Sequence, residues 1–246
     1  MPFAAEKVYF MRRARQSHAA MLAAADGGAR LAHRQLESAY EGKADSLDRK
    51  MLALARGPLP AQDQAPPKPA ISPDAVAAAL VGEGVTRGGV ALSIRPTTPA
   101  DLGTLIALFR NVSAEDVRFR FGDTARRIGA AELGPLIDSD PDTGISFIAH
   151  ESGGIAVAVS TLADSADGSS AEVALSVHAE WKARGIAWTL LEHTLAYATA
   201  HGLREVTSFE TGDEHAAINL EREMGFVARL ISISPTEFSL SKIVAG

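Results

Sequence analysis

Cysteine is absent from this chain of 246 residues. Disulfides, thiolate metal sites and any cysteine nucleophile are therefore excluded. Long apolar runs are missing too, and none approaches the ~20 residues a membrane-spanning helix needs. The N-terminus lacks the basic-then-apolar order of a secretory signal, because Glu6, Arg12, Arg13 and Arg15 interrupt it. Cytoplasmic residence is the expectation, with no membrane partner. Basic residues are too few for a general nucleic-acid binder: 24 Lys and Arg stand against 30 Asp and Glu, a net charge of -6. What the chain does have is a hydrophobic fraction of 46%. That supplies a substantial core for one domain plus an appendage.

Two stretches, residues 3–26 and 29–56, are rich in Ala, Leu, Arg and Glu and read as helices, with a break at Gly27-Gly28. Leu31, Leu36, Leu47, Met51 and Leu54 would form an apolar stripe on the second, weakened by Gly42. A hairpin docked on the domain or on another copy of the chain, and a partly frayed helical tail, both fit this pattern. In the first case these helices are the expected route to self-association. Residues 57–70 carry five prolines and read as an extended linker. A short helix is expected at 73–81, then a flexible joint at Gly82, Gly84, Gly88 and Gly89.

The domain proper is expected over 90–246. Val90–Arg95 reads as a strand stopped by Pro96. Thr97 or Thr98 can cap a helix with Pro99 at its start, and Ser113 can cap a second piece. Residues 130–138 are expected to be helical. Ile145–His150 and Ile155–Leu162 form strands across a Glu151–Gly154 turn, and Ala171–His178 is a third strand. A long helix over 184–201, a strand at 205–210, a helix at 213–224 and strands at 227–234 and 237–244 complete the order. This is an α/β (α+β) pattern, a mixed sheet with helices on its faces.

The most informative stretch is residues 171–191. A strand runs into a short polar loop, and a helix opens at Arg184-Gly185-Ile186-Ala187. Small residues let backbone N–H groups approach a ligand closely. The first turn of a helix carries unpaired N–H groups and a positive dipole end, which suit a diphosphate. Lys182 and Arg184 add positive charge there. An ordinary strand-to-helix turn, with the small residue present for packing, is the plainer alternative.

This stretch resembles the acyl-CoA motif of the GNAT acetyltransferase superfamily, Q/R-x-x-G-x-G/A opening a helix. Here it reads Lys182-Ala183-Arg184-Gly185-Ile186-Ala187, with Lys182 in place of the usual Gln or Arg. The resemblance implies a mostly antiparallel, twisted sheet of six to seven strands with helices on both faces. It implies that N–H groups of Ala183, Arg184, Gly185, Ile186, Ala187 and Trp188 hold the CoA diphosphate. It also implies that main chain at Leu175, Ser176 and Val177 pairs with pantetheine, as an added strand would. Further stretches, Ser93–Leu102, Leu108–Ser113, Arg118–Phe121 and Leu220–Phe226, are similar to the acetyltransferase domain of bacterial protein lysine acetyltransferases.

From that likeness follow acetyl-CoA as co-substrate and a primary amine, a protein lysine first, as acceptor. A small-molecule amine is the second expectation. A CoA-binding regulatory or scaffold module without turnover is the third. An amine needs a base, and Glu172 matches the glutamate of the lysine acetyltransferases; a solvated strand glutamate is the alternative. His178 and Glu210 are weaker candidates. A bulge in strand 171–177 would open the sheet and aim an N–H at the developing oxyanion. The tyrosine that many superfamily members use as general acid is replaced by Glu221, and the usual Asn slot falls near Glu214 or His215. Arg118, Arg120, Arg126 and Arg127 are expected on the acceptor wall or as solvated helix charges. Trp181 and Trp188 are expected to pack.

Overall fold

The computed structural model describes residues 72–121, 128–137, 144–165, 169–233 and 236–244. The expected N-terminal helices and proline linker, with Arg126 and Arg127, lie outside the described residues.

Ser72 caps the first helix, α1 (Pro73–Ala79), its hydroxyl accepting from the Ala75 N–H. The expected flexible joint that follows is in fact a hairpin. Gly82–Val85 forms strand β1 and pairs antiparallel with β2 (Ala91–Pro96) across a turn at Thr86–Gly89. Thr98 and Asp101 form a capping box at a short 3-10 turn, Pro99–Asp101, that runs into α2 (Leu102–Phe109). Arg95 pairs with Asp101 at 2.7 Å and ties the end of β2 to that turn. α3 (Ala114–Phe121) starts where the Ser113 hydroxyl accepts from the Asp116 N–H. α4 (Ala130–Ile137) completes the set before the central strands.

Next come β3 (Gly144–Glu151), β4 (Ala156–Asp164) and β5 (Ser170–Val177). The β3–β4 turn is pinned by the Glu151 carboxylate, which accepts from the N–H groups of Gly153 and Ile155. A 3-10 turn, Ala179–Trp181, leads to the long helix α5 (Ile186–Ala200). β6 (Glu205–Thr211), α6 (His215–Glu223), β7 (Val227–Ile233) and β8 (Thr236–Ile243) follow.

The strands form one sheet in the order β1-β2-β3-β4-β5-β6-β8-β7. Every neighbouring pair is antiparallel except β5–β6. The sheet has eight strands because Gly82–Val85 adds an edge strand to those anticipated. Phe147, Val173, Val177, Val206 and Leu240 pack with Ile186, Leu190 and Leu191 of α5 in the main core. On the opposite face lie α2 and α4, whose Leu105, Leu108, Leu133 and Leu136 are also buried. Among the described residues, no helix is long and apolar enough to cross a membrane.

Candidate functional site

Strands β5 and β6 pair at three positions only: Ser170 with Glu205, Ala171 with Val206 and Glu172 with Thr207. Beyond these, β5 continues against β4 as far as Val177, while β6 continues against β8 as far as Thr211. The two strands therefore part after Glu172 and leave a gap in the middle of the sheet. The anticipated bulge is not its cause, because β5 keeps an unshifted register along β4. β6 simply diverges.

Strand alternation fixes which backbone groups face that gap. Ser165 N–H donates to Ser170 O, and His178 N–H donates to Val157 O, so even-numbered residues of this strand point their amides at β4. Odd-numbered residues point the other way. Val173, Leu175 and Val177 thus present N–H and C=O to the gap. Ser176, anticipated among the backbone partners of a ligand, turns its main chain to β4 instead. Its side chain points to the face bearing α3, where Arg120 donates to Ser176 Oγ at 3.3 Å and to Thr161 Oγ1 at 2.6 Å. Arg120 therefore binds the sheet face and is not simply a solvated helix charge.

After β5 the chain tightens and then reverses its twist. Ala183 has φ 60° and Gly185 has φ 80°, both left-handed. Gly185 is the N-cap of α5 and supplies no side-chain cap, and no acidic residue lies in the first turn. Arg184 O, which would accept from Trp188 in a continuing helix, accepts instead from Thr86 Oγ1 at 2.7 Å. The N–H groups of Ala183, Arg184, Gly185, Ile186, Ala187 and Trp188 donate to no acceptor among the described residues. Six consecutive amides at the positive end of a helix dipole form a seat for an anion.

The β1–β2 turn holds this seat in place. The buried Thr86 hydroxyl accepts from Val90 N–H while it donates to Arg184 O. Gly88 lies so close that an added Cβ would come within 2.5 Å of Arg184 O. Arg87, from the same turn, lays its guanidinium over the Trp188 ring at 3.7 Å from the centroid. Arg184 does the same over Trp181 at 4.8 Å. Both indoles thus carry a cation, and Trp181 also packs against the main core. Sequence reasoning missed Arg87 because Thr86-Arg87-Gly88-Gly89 reads as a joint; the R-G-G between two valine-flanked segments was the hairpin signal available.

A Gly88→Ala chain is expected to lose about 1–3 kcal/mol of stability, since neither backbone can yield without shifting the other. Gly103→Ala in α2, where an added Cβ meets nothing, should be neutral or slightly stabilising. Thermal melts of the two proteins check this; equal stability would show that the turn gives way freely.

Other candidates fall elsewhere. Lys182 does not lend its charge to the seat, because its ammonium pairs with Asp116 of α3 at 2.6 Å. Ala179 N–H donates to Asn111 O at 2.7 Å, so the loop is tied twice to the α2–α3 region. His178 is buried, and its Nδ1 accepts from Glu180 N–H; it caps the 3-10 turn and is not placed as a base. Glu172 sits at the last paired position before the gap, with its half-buried side chain on the same face as Ser176 and Arg120. Glu210 lies on β6 beyond the parting. Burial, with the charges of Glu221, Glu214 and Asp116, raises its pKa well above the carboxylate range. Glu221, on α6, is buried and accepts from Ser208 Oγ of β6. Burial pushes its pKa up to about 7, opposed by that hydrogen bond. A separate open groove of about 760 Å³, lined by Glu83, Arg95, His150 and Glu151 among others, lies over β1–β3 and holds none of these groups.

Residues 114–226 match the model of the acetyltransferase (GNAT) family. The GNAT domain of S. lividans PAT is similar in structure at a TM-score of 0.61 and 24% identity, over 67% of this chain and 97% of that one. A GCN5-related N-acetyltransferase from Kribbella flavida is similar at 0.54 and 13%, over 62% and 97%. A spermidine N-acetyltransferase chimera of Vibrio cholerae SpeG and hSSAT is similar at 0.50 and 16%, over 62% and 95%. The domain thus has the fold of these acetyltransferase structures, and residues 114–226 resemble the GNAT family in sequence.

Proposed function

We propose that this domain transfers an acyl group, acetyl first, from a CoA thioester to a primary amine, and that the preferred acceptor is a protein lysine. The observation that carries the reading is the run of six unpaired amides, Ala183–Trp188, at the mouth of a gap edged by unpaired strand. The diphosphate of the donor would take the amides. Pantetheine would take the open main chain of Leu175 and Val177, as a short added strand. From Val177 back to Glu172 the strand spans about 16 Å, the reach of an extended pantetheine arm. The thioester would then lie where β5 and β6 part.

Glu172 stands at that place and is the proposed base. The incoming ammonium loses a proton to it, the amine nitrogen attacks the thioester carbon, the C–S bond breaks with its electron pair leaving on sulfur, and the thiolate takes the remaining nitrogen proton to give the amide and CoA thiol. With no cysteine in the chain, no acyl-cysteine forms, and attack takes place directly in a ternary complex. Positioning and charge stabilisation supply most of the acceleration. Protein lysine is favoured over small amines by the likeness of residues 93–121 and 220–226 to protein lysine acetyltransferases.

Calorimetric titration with acetyl-CoA tests the premise. One site per chain with micromolar affinity is expected, and its absence would end the proposal. Thiol release from acetyl-CoA with protein acceptors then separates an enzyme from a module that only binds. Radioactive acetyl-CoA in a lysate separates protein acceptors from small amines.

A further inference from the structure

We propose that Arg87 and Arg184 form a clamp for the 3′-phosphate of the donor nucleotide, so that this site selects 3′-phosphorylated CoA thioesters over their dephospho forms. The inference rests on the reading of Ala183–Trp188 as the diphosphate seat and adds to it a residue from outside the region matched by the family model.

Three observations converge on these two side chains. The first is their electrostatic state. The chain is acidic overall at -6, and Lys182, the cation nearest the seat in sequence after Arg184, is neutralised by Asp116. Arg87 and Arg184 are exposed and have no carboxylate partner among the described residues. Two uncompensated guanidiniums beside six open amides form a positive locus that invites an anion of more than one group.

The second is orientation. Each guanidinium lies over an indole, Arg87 on Trp188 at 3.7 Å and Arg184 on Trp181 at 4.8 Å. A stacked guanidinium keeps its N–H fork in the plane of the group, clear of the ring face, and is already ordered before a ligand arrives. That fork matches two oxygens of a phosphate. Trp188 belongs to the first turn of α5, so Arg87 is parked on the helix that carries the seat.

The third is rigidity. Arg87 comes from a remote hairpin, yet its position relative to Gly185 is fixed. Thr86 Oγ1 bonds Arg184 O on one side, and Gly88 abuts Arg184 on the other. A Cβ on Gly185 would meet Arg87 N at 3.1 Å. The amides of the seat suffice for the diphosphate, and the cations beside it match the one further phosphate that CoA carries and dephospho-CoA lacks.

The test is calorimetric titration of the full chain with CoA and with dephospho-CoA. The proteins compared are the native chain, Arg87→Ala, Arg87→Lys, Arg184→Ala and, as a charge control, Arg229→Ala on the exposed edge strand β7. The native protein should bind CoA about 10- to 100-fold more tightly than dephospho-CoA. Arg87→Ala should weaken CoA by about tenfold and leave dephospho-CoA within about twofold, with Arg87→Lys between. Arg184→Ala should act likewise, and Arg229→Ala should match the native chain. Raising the salt should shrink the native preference, because both cations are exposed. Equal weakening of both ligands by Arg87→Ala would place the guanidinium on the diphosphate, or in holding the turn, and overturn the clamp. Equal native affinities for the two ligands would overturn it as well. If neither ligand binds the native chain, the acyl-donor reading itself falls, a result distinct from loss of discrimination alone.

Discussion

Replacing Glu172 by Gln should lower kcat at pH 7 by about 10²- to 10⁴-fold, with the dissociation constant for acetyl-CoA unchanged within about twofold. A lysine side chain has a pKa near ~10.4, so only about one in 2,500 is neutral at pH 7. A base at the point of attack removes that handicap. Glu172 occupies the last position at which β5 still touches β6, on the face away from α5. The proposed donor seat lies at the other end of the strand and should not sense the change. The pH profile gives the sharper check. Each unit of pH adds about tenfold more free amine, so the Gln chain should recover activity steadily between pH 7 and 10 while the native chain levels off. A Gln chain with native kcat would make Glu172 an ordinary strand residue and turn attention to Glu210, across the gap on β6.

The seat was legible in the sequence because its signals are local. A strand followed within a few residues by Arg184-Gly185-Ile186-Ala187 leaves few conformations, and Gly185 does take the left-handed φ that a break requires. Helix starts at Thr98 and Ser113 were legible for the same reason, since a cap reaches only three residues ahead. What stayed hidden is long-range. Gly88 reads as freedom when met alone, but in the fold it is a close approach to Arg184. Lys182 reads as a phosphate ligand until Asp116, on a separate helix, is brought to it. The gap itself needs two strands to pair at their starts and part later, which no property of either strand reveals. Glu221 gave a faint sign, lying three residues after the buried Ile218 on the inward stripe of α6, yet a lone glutamate on such a stripe does not announce its protonation.

That glutamate makes the stability of the fold depend on pH. Glu221 titrates at about 7 in the folded protein against 4.5 as the ordinary value. The folded state thus holds its proton more tightly than the unfolded state, and alkali favours unfolding. The contribution is fully present below about pH 4.5, is lost as the pH rises through 7 and is gone above about 8. The shift corresponds to roughly 3 kcal/mol. The neighbouring Glu210, raised by burial and by the same carboxylate, acts in the same direction. A Gln at 221 keeps an oxygen for Ser208 Oγ and has no proton to lose. Glu221→Gln should therefore leave stability near native at pH 4.5 and raise it by roughly 3 kcal/mol at pH 8.5, a gain of about 6–12 °C in Tm for a domain of this size. Melts at the two pH values measure the difference directly. An equal gain at both would mean that the Gln repacks the site, and no gain at pH 8.5 would mean that Glu221 is already ionised and satisfied in the native fold.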